Sequence, residues 1–302
     1  MNVEDGQGGG GGGSGGLFGG MDGQQAKLPR QEHYGDMWTT TFCPSFTIWS
    51  FTFLNVIVQL IVFIATLFYT QSSSEQGFTP WMFLGNTPEC MKTFGMRMPF
   101  LIKEGEVWRL FLSLYVNHGF SQVVVNCLAQ LFAGLMLEAQ MGSLRMAFFW
   151  FTAGIGANLF AATAEDLYAA GAEPAMFALI SGLLAMFIYY WERIHCENWC
   201  MKVCGFFMMI FLLVIGIFFL TSFAAPYKNY MKLWKISYPD SMGFLGGFLF
   251  GMPLTWVFLP SSTGSFKTAP RLEKGLFYFG LIMALAIFCI VVAAFLTGAE
   301  PK

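Results

Sequence analysis

The sequence predicts an all-α protein, a polytopic bundle of membrane-crossing helices, and two observations carry that prediction. The chain is 56% hydrophobic and 11% charged, where soluble domains hold roughly a quarter of charged residues. Its apolar residues fall into runs of about 20, the length at which a helix spans the hydrocarbon layer.

Residues 1–45 open with an acidic, polar stretch, run from Gly8 to Gly13 without interruption and stay rich in Gly, Ser and Gln. This composition buries too little surface to offset its ordering entropy, so a disordered tail is expected. It lacks the basic and apolar regions of a signal peptide, which leaves the first apolar run, 46–69, as the insertion signal. Further spans are expected at 121–141, 144–163, 174–191, 202–223, 241–258 and 275–297, with a long first loop over 70–120. Residues 46–258 thus form a six-span core, and 259–302 a loop with a seventh span. Several spans are short or carry polar residues, as suits helices buried inside a bundle. The 16 lysines and arginines divide evenly between the two sides of this arrangement, so the positive-inside rule does not orient it. A net charge of −2 excludes a nucleic-acid partner and leaves the lipid bilayer as the general surroundings.

The seven cysteines form no disulfide framework. Cys196, Cys200 and Cys204 stand four apart beside His195, on one helix face with three readings: a zinc site, juxtamembrane acylation, or small apolar packing. The spacing is not a CxxC pair and no second pair follows. Packing is the reading adopted, and no metal or cofactor is expected. Phe148, Phe149, Trp150 and Phe151 are expected to face lipid and pack the bundle. Phe206, Phe207, Phe218 and Phe219 on the fifth span are read as lipid contacts before a client surface.

Several short motifs share an order along the chain. Glu106-Val107-Trp108-Arg109-Leu110 places an aromatic beside an arginine that can snorkel to headgroups. Asn117-His118-Gly119-Phe120-Ser121-Gln122 is followed by Asn126, and Glu138 comes twelve residues later. Gly171-Ala172-Glu173-Pro174 opens the fourth span. Gly243, Gly247 and Gly251 stand four apart, which lets a helix approach its neighbour closely. In order, spacing and placement these segments resemble the rhomboid intramembrane protease family over most of residues 46–258. The resemblance implies a six-helix core with a cytoplasmic N-terminus, here followed by a seventh span as in secretory-pathway members. It also implies a half-embedded first loop anchored by Trp108 and Arg109, and fourth and sixth spans packed through Ser181 and the glycine stripe.

For the chemistry, the resemblance implies a loss. The family's fourth span begins Gly-x-Ser-Gly with the serine as nucleophile; here Glu173 takes the serine position and Pro174 the glycine after it. The family's histidine, in an Ala-His-x-Gly-Gly setting, falls on Phe244. An acyl-transfer site needs a nucleophile, a base and oxyanion donors. The chain's histidines are His33, His118 and His195, none of them in the sixth span. Ser181-Gly182 lies about 12 Å along the helix from Glu173, too deep for the site. A carboxylate is a poor nucleophile toward an amide, and proline at 174 removes an N–H that the family's oxyanion hole uses.

Asn126 matches the family's asparagine, Gln122 stands where a histidine would be, and His118 precedes them. These residues either keep a polar cavity or bond neighbouring helices as packing. Glu173 has three readings: a helix cap ahead of Pro174, a functional carboxylate that holds a basic client residue, or a lone acid–base group without a titratable partner.

The function expected is a catalytically inactive rhomboid-like protein that binds transmembrane segments of client proteins in trafficking, stabilisation or quality control. A structural subunit of a larger membrane complex is the alternative, and an active serine-type peptidase with unconventional residues the third reading. The place of the extra span favours the secretory pathway or plasma membrane over mitochondria.

Overall fold

The computed structural model describes residues 49–73, 78–79, 83–189, 232–261 and 266–298. Among these residues, six helices lie on expected spans. The first span is α1 (Phe51–Ser73). The first loop carries three short helices, α2 (Pro88–Phe94), α3 (Pro99–Lys103) and α4 (Arg109–Leu112). The second span is α5 (Phe120–Ala129), a π-helical turn (Gln130–Gly134) and α6 (Leu135–Met141). The third, fourth, sixth and seventh spans are α7 (Ser143–Ala164), α8 (Glu173–Tyr189), α9 (Ser241–Phe258) and α10 (Arg271–Thr297). Five of the six are long and apolar enough to cross a membrane, and α8 is shorter and apolar. The protein is a multi-pass helical membrane bundle. The tail, the fifth span at 202–223, His33, His195 and the cysteines at 196, 200 and 204 lie outside the described residues.

The first span is apolar outward and polar inward. Thr52, Asn55, Gln59, Thr66 and Thr70 are buried, while Ile61, Ile64 and Phe68 are exposed. Unpaired amides are costly in hydrocarbon, and the π-helical turn of the second span satisfies these. Gln130 accepts from Asn55 Nδ2 and Gln59 Nε2, both at 2.9 Å, and donates to Gln59 Oε1 at 3.0 Å. The Tyr115 hydroxyl donates to Asn55 at 2.8 Å. This network fixes the rotation of α1 about its own axis.

Glu138 fixes its end. The carboxylate accepts the main-chain N–H groups of Phe51 at 2.7 Å and Thr52 at 2.9 Å, and also the Ser143 hydroxyl. The first amides of a helix have no partner within it, and a carboxylate there also meets the positive end of the helix dipole. The helix therefore starts at Phe51, inside the expected boundary of 46. It ends at Ser73 rather than 69, because the polar residues after Tyr69 continue the helix out of the apolar run.

The first loop is tied down by Arg109, and here the structure corrects the expectation of a snorkelling arginine. Arg109 is buried. Its guanidinium donates to the carbonyls of Lys92 at 2.8 Å and Met96 at 3.2 Å, and to Glu106 at 2.6 Å. Trp108, 43% exposed, stacks over it at 4.5 Å. These bonds hold the guanidinium inside the loop, whereas Trp108 beside it presents a surface.

The third, fourth and sixth spans form the centre. A β-carbon at Gly247 would overlap the Pro174 carbonyl oxygen, and one at Gly251 would overlap the Ser181 hydroxyl and the Ala178 carbonyl. Ser181 Oγ lies 3.5 Å from the Gly247 carbonyl. The backbones of α8 and α9 touch because no side chain stands between them. On the other face of α9, a β-carbon at Gly280 of the seventh span would come within 2.5 Å of the Pro253 carbonyl. Phe149 and Trp150 of α7 are fully buried in the core, whereas Phe148 is exposed.

Candidate functional site

The candidate site lies where α8 and α9 begin. Three extramembrane segments are stitched together over it by main-chain bonds. Arg97 and Ala169 exchange bonds of 2.8 and 3.1 Å, Tyr168 N–H donates to Lys235 at 2.8 Å, and Ser237 N–H donates back to Tyr168 at 2.8 Å. The first loop, the segment before α8 and the segment before α9 thus share one short strip. Gly171, with φ +140°, turns the chain from this strip into α8. A β-carbon there would overlap Gln122 Nε2, so glycine is required twice over.

Four expected site residues meet beneath the strip. Gln122 Nε2 donates to Glu173 Oε1 at 3.0 Å and to the Ala170 carbonyl at 2.8 Å, while its Oε1 accepts the His118 N–H at 2.6 Å. Asn126 Nδ2 donates to Asn117 Oδ1 at 3.1 Å. Glu173, Gln122, Asn126 and His118 are all 4% exposed or less. Two buried polar atoms, His118 Nε2 and Asn126 Oδ1, have no partner among the described residues. Burial holds the His118 imidazole down at about 4, against the pull of the Asp240 carboxylate, so the ring is neutral. The ring meets Tyr238 edge to face, with ring centroids 5.5 Å apart.

Glu173 departs from the helix-cap expectation. The helix starts at Glu173 itself, and Met176 N–H already bonds to Ala172 at 2.8 Å, which puts Pro174 second in the helix. The carboxyl group turns away from its own helix toward Gln122 of the second span. One turn deeper, the chemistry changes. Phe244 stacks on Phe177 with centroids 4.0 Å apart and planes 15° from parallel. Met176, Val125 and Ala129 complete this apolar layer. A helical turn rises about 5.4 Å, so an aromatic floor separates the polar layer from the bundle interior.

A second polar group borders the first, and the sequence reading missed it. Arg97 is fully buried, and its guanidinium grips Asp240 with two bonds of 2.6 and 3.0 Å. The same fork donates to Asn158 Oδ1 at 3.1 Å and comes within 3.7 Å of Glu165. Asn158 in turn donates to Ser113 Oγ and the Leu110 carbonyl, both at 2.9 Å. Asp240 also caps α9 by accepting from Gly243 N–H at 3.0 Å. An asparagine within an apolar span and an aspartate before Ser241 were the available signals.

The comparisons with known proteins bear on this arrangement. The family model for the rhomboid domain matches residues 104–261, just over half of the chain. The protein belongs to the rhomboid family. It is 29% identical over 216 residues to Rhomboid-like protease 2 of Toxoplasma gondii, covering 71% of this chain and 67% of that one. To Rhomboid-like protease 1 of the same organism it is 30% identical over 164 residues, covering 53% and 50%. To Inactive RHOMBOID-like protein 8 of Arabidopsis thaliana it is 28% identical over 99 residues, covering 32% and 28%. The chain therefore spans half or less of the second and third of these relatives.

Within this rhomboid, Glu173 carries a carboxyl group bonded to the Gln122 amide. Phe244 carries a phenyl ring in an aromatic stack. Neither the Phe244 ring nor the Pro174 nitrogen has a proton to give or a lone pair to accept one. Ser181 lies on α8 against the Gly247 carbonyl, away from the polar layer.

Proposed function

We propose that this rhomboid is a non-proteolytic membrane protein that binds transmembrane segments of client proteins, in trafficking, stabilisation or quality control. The observation that carries the reading is the pair of contacts at the two degenerate positions, Glu173 with Gln122 and Phe244 on Phe177. The polar layer offers acceptors, the Glu173 carboxyl with the unpartnered atoms of His118 and Asn126. A client helix that carries a basic or amide side chain at this depth would find acceptors for its N–H groups there, while its apolar residues meet the Phe layer. Placement in the secretory pathway or plasma membrane is part of the proposal, resting on the seventh span after the core.

The test uses the full chain reconstituted in liposomes with a transmembrane substrate. No cleavage is expected, and cleavage blocked by a serine-directed inhibitor overturns the reading. A photoreactive probe near Glu173 and another near Cys289, exposed on the seventh span, then locate partners in native membranes. Adducts near Glu173 are expected. Adducts confined to the seventh span would make the protein a peripheral subunit of an assembly.

A further inference from the structure

The strip over the polar layer is tied together by one arginine that two carboxylates share. Arg97 Nη1 is committed twice, to Asp240 Oδ2 at 2.6 Å and to Asn158 Oδ1 at 3.1 Å. Nη2 donates to Asp240 Oδ1 at 3.0 Å, and the same nitrogen faces Glu165 Oε1 at 3.7 Å, too far for a hydrogen bond. Glu165 Oε1 is buried and has no hydrogen-bond partner among the described residues. The carboxyl is steadied instead by the Ser237 side chain, and the Ser237 N–H belongs to the strip itself. Each strip segment contributes to the cluster: Arg97 from the first loop, Glu165 from the stretch before α8, Ser237 and Asp240 from the stretch before α9. Other ionisable groups stand around it. Glu173 and His118 lie within the field of Asp240. Lys103 lines a cleft with Glu165 and holds its ammonium 3.4 Å from the Gly298 carbonyl, while Asp166 is exposed.

A guanidinium carries a single positive charge, and Asp240 takes both of its prongs. An ionised Glu165 beside that pair is a second carboxylate at a site with charge for one, an arrangement that disfavours joint ionisation. We infer that the strip is a proton-operated latch: ionised Glu165 competes with Asp240 for Arg97, and on protonation Glu165 yields the guanidinium to Asp240 and the three segments draw tight. The latch belongs to the roof of the polar layer and does not depend on what that layer binds. Burial, and then the Asp240 charge, raise the Glu165 carboxyl above its ordinary value of 4.5, against the Arg97 charge and the Ser237 bond. The closed strip therefore holds the proton more firmly than an opened one. Its stability rises as pH falls through the raised value and levels off below the ordinary one. His118 titrates with the opposite sign, so the two are separated by difference.

The experiment is amide hydrogen exchange of the full chain in lipid nanodiscs between about pH 5 and about pH 8. It is read by mass spectrometry on peptides that carry Tyr168, Ala169 and Ser237, with each rate divided by the intrinsic rate at that pH. Glu165→Gln is neutral at every pH. At the alkaline end its strip should be protected several-fold more than that of wild type, and the two should converge at the acid end. Asp166→Asn removes the same charge from the exposed neighbour and should keep the wild-type profile. Ser237→Ala keeps the carboxyl but loses a bond that favours its ionised form, so the rise in protection should move to higher pH. A ratio between Glu165→Gln and wild type that does not change with pH overturns the latch, as does weaker protection in Glu165→Gln at the alkaline end. A profile shared by Glu165→Gln and Asp166→Asn assigns the effect to surface charge and overturns it too, and so does an unmoved profile in Ser237→Ala.

Discussion

Arg97 and Asp240 stand 143 positions apart in sequence and meet in a two-pronged ion pair of 2.6 and 3.0 Å, both side chains all but sealed from solvent. The pair joins the first loop to the start of α9 and aligns the end of the sixth span beside Glu173. A buried charge that loses its partner is strongly destabilising, by about 3–5 kcal/mol, whereas loss of both charges costs far less. Arg97→Met and Asp240→Asn should each lower thermal stability in detergent by that order, and the double variant should recover part of it. Single variants that melt like wild type would show that the pair does not hold these segments.

The contact between α8 and α9 leaves no room for a β-carbon. Gly247→Leu and Gly251→Leu should destabilise by about 1–3 kcal/mol through overpacking, because the neighbours they meet are the Pro174 carbonyl, the Ala178 carbonyl and Ser181. Gly275→Ala on the seventh span is the control. Nothing lies within 4 Å of its β-carbon, and alanine is the better helix former by roughly 1 kcal/mol. Melting curves for the three variants should separate in that direction; superimposed curves count against the close approach.

Gln122 is the hub of the polar layer, and Glu173 is a spoke. Glu173→Gln keeps an oxygen for the Gln122 amide and should shift stability by about 1 kcal/mol or less. Gln122→Leu strips partners from Glu173, the His118 N–H and the Ala170 carbonyl at once, at roughly 1–3 kcal/mol for each orphaned group. Comparison of the two melting temperatures checks the ranking, and a larger loss at Glu173 contradicts it.

His118 makes stability depend on pH with a definite sign. The folded ring titrates at about 4 and the unfolded one near 6.5. Between these values the unfolded chain binds the proton and the native chain does not. The native state is therefore most favoured above the unfolded value and weakens as pH falls toward the folded one. Wild-type melting temperature should drop over that window more than that of His118→Phe, which keeps a ring against Tyr238 but cannot titrate. Parallel pH profiles would remove His118 as the cause.

The expected spans and the observed helices agree best where apolar runs end abruptly. The sixth span was legible to its last residue because Asp240 and Pro260 bound it, while α1 overran its expected end through Thr70 and Gln71. The inward polar stripe of α1 was written in the spacing of Thr52, Asn55, Gln59, Thr66 and Thr70, although hydropathy averaging hides it. The meeting of Gln122 with Glu173 follows from the rhomboid resemblance. That of Arg97 with Asp240 does not, since both lie in irregular segments with no period to pair them. Arg109 misled for a related reason: its neighbours are loop carbonyls, and carbonyls leave no trace in side-chain composition.

The Glu138 clamp on Phe51 and Thr52 has a temporal side. During synthesis those two amides emerge 87 and 86 residues before the carboxylate that will bond them. Until the second span is made, that carboxylate is not there to accept them, and amides at the leading end of α1, without a partner in the helix, favour water and headgroups over hydrocarbon. Arrival of Glu138 releases that end from the interface and hands it to the protein. The first two spans therefore mature together, and a nascent chain stopped short of residue 138 would carry a first span still tethered to the surface.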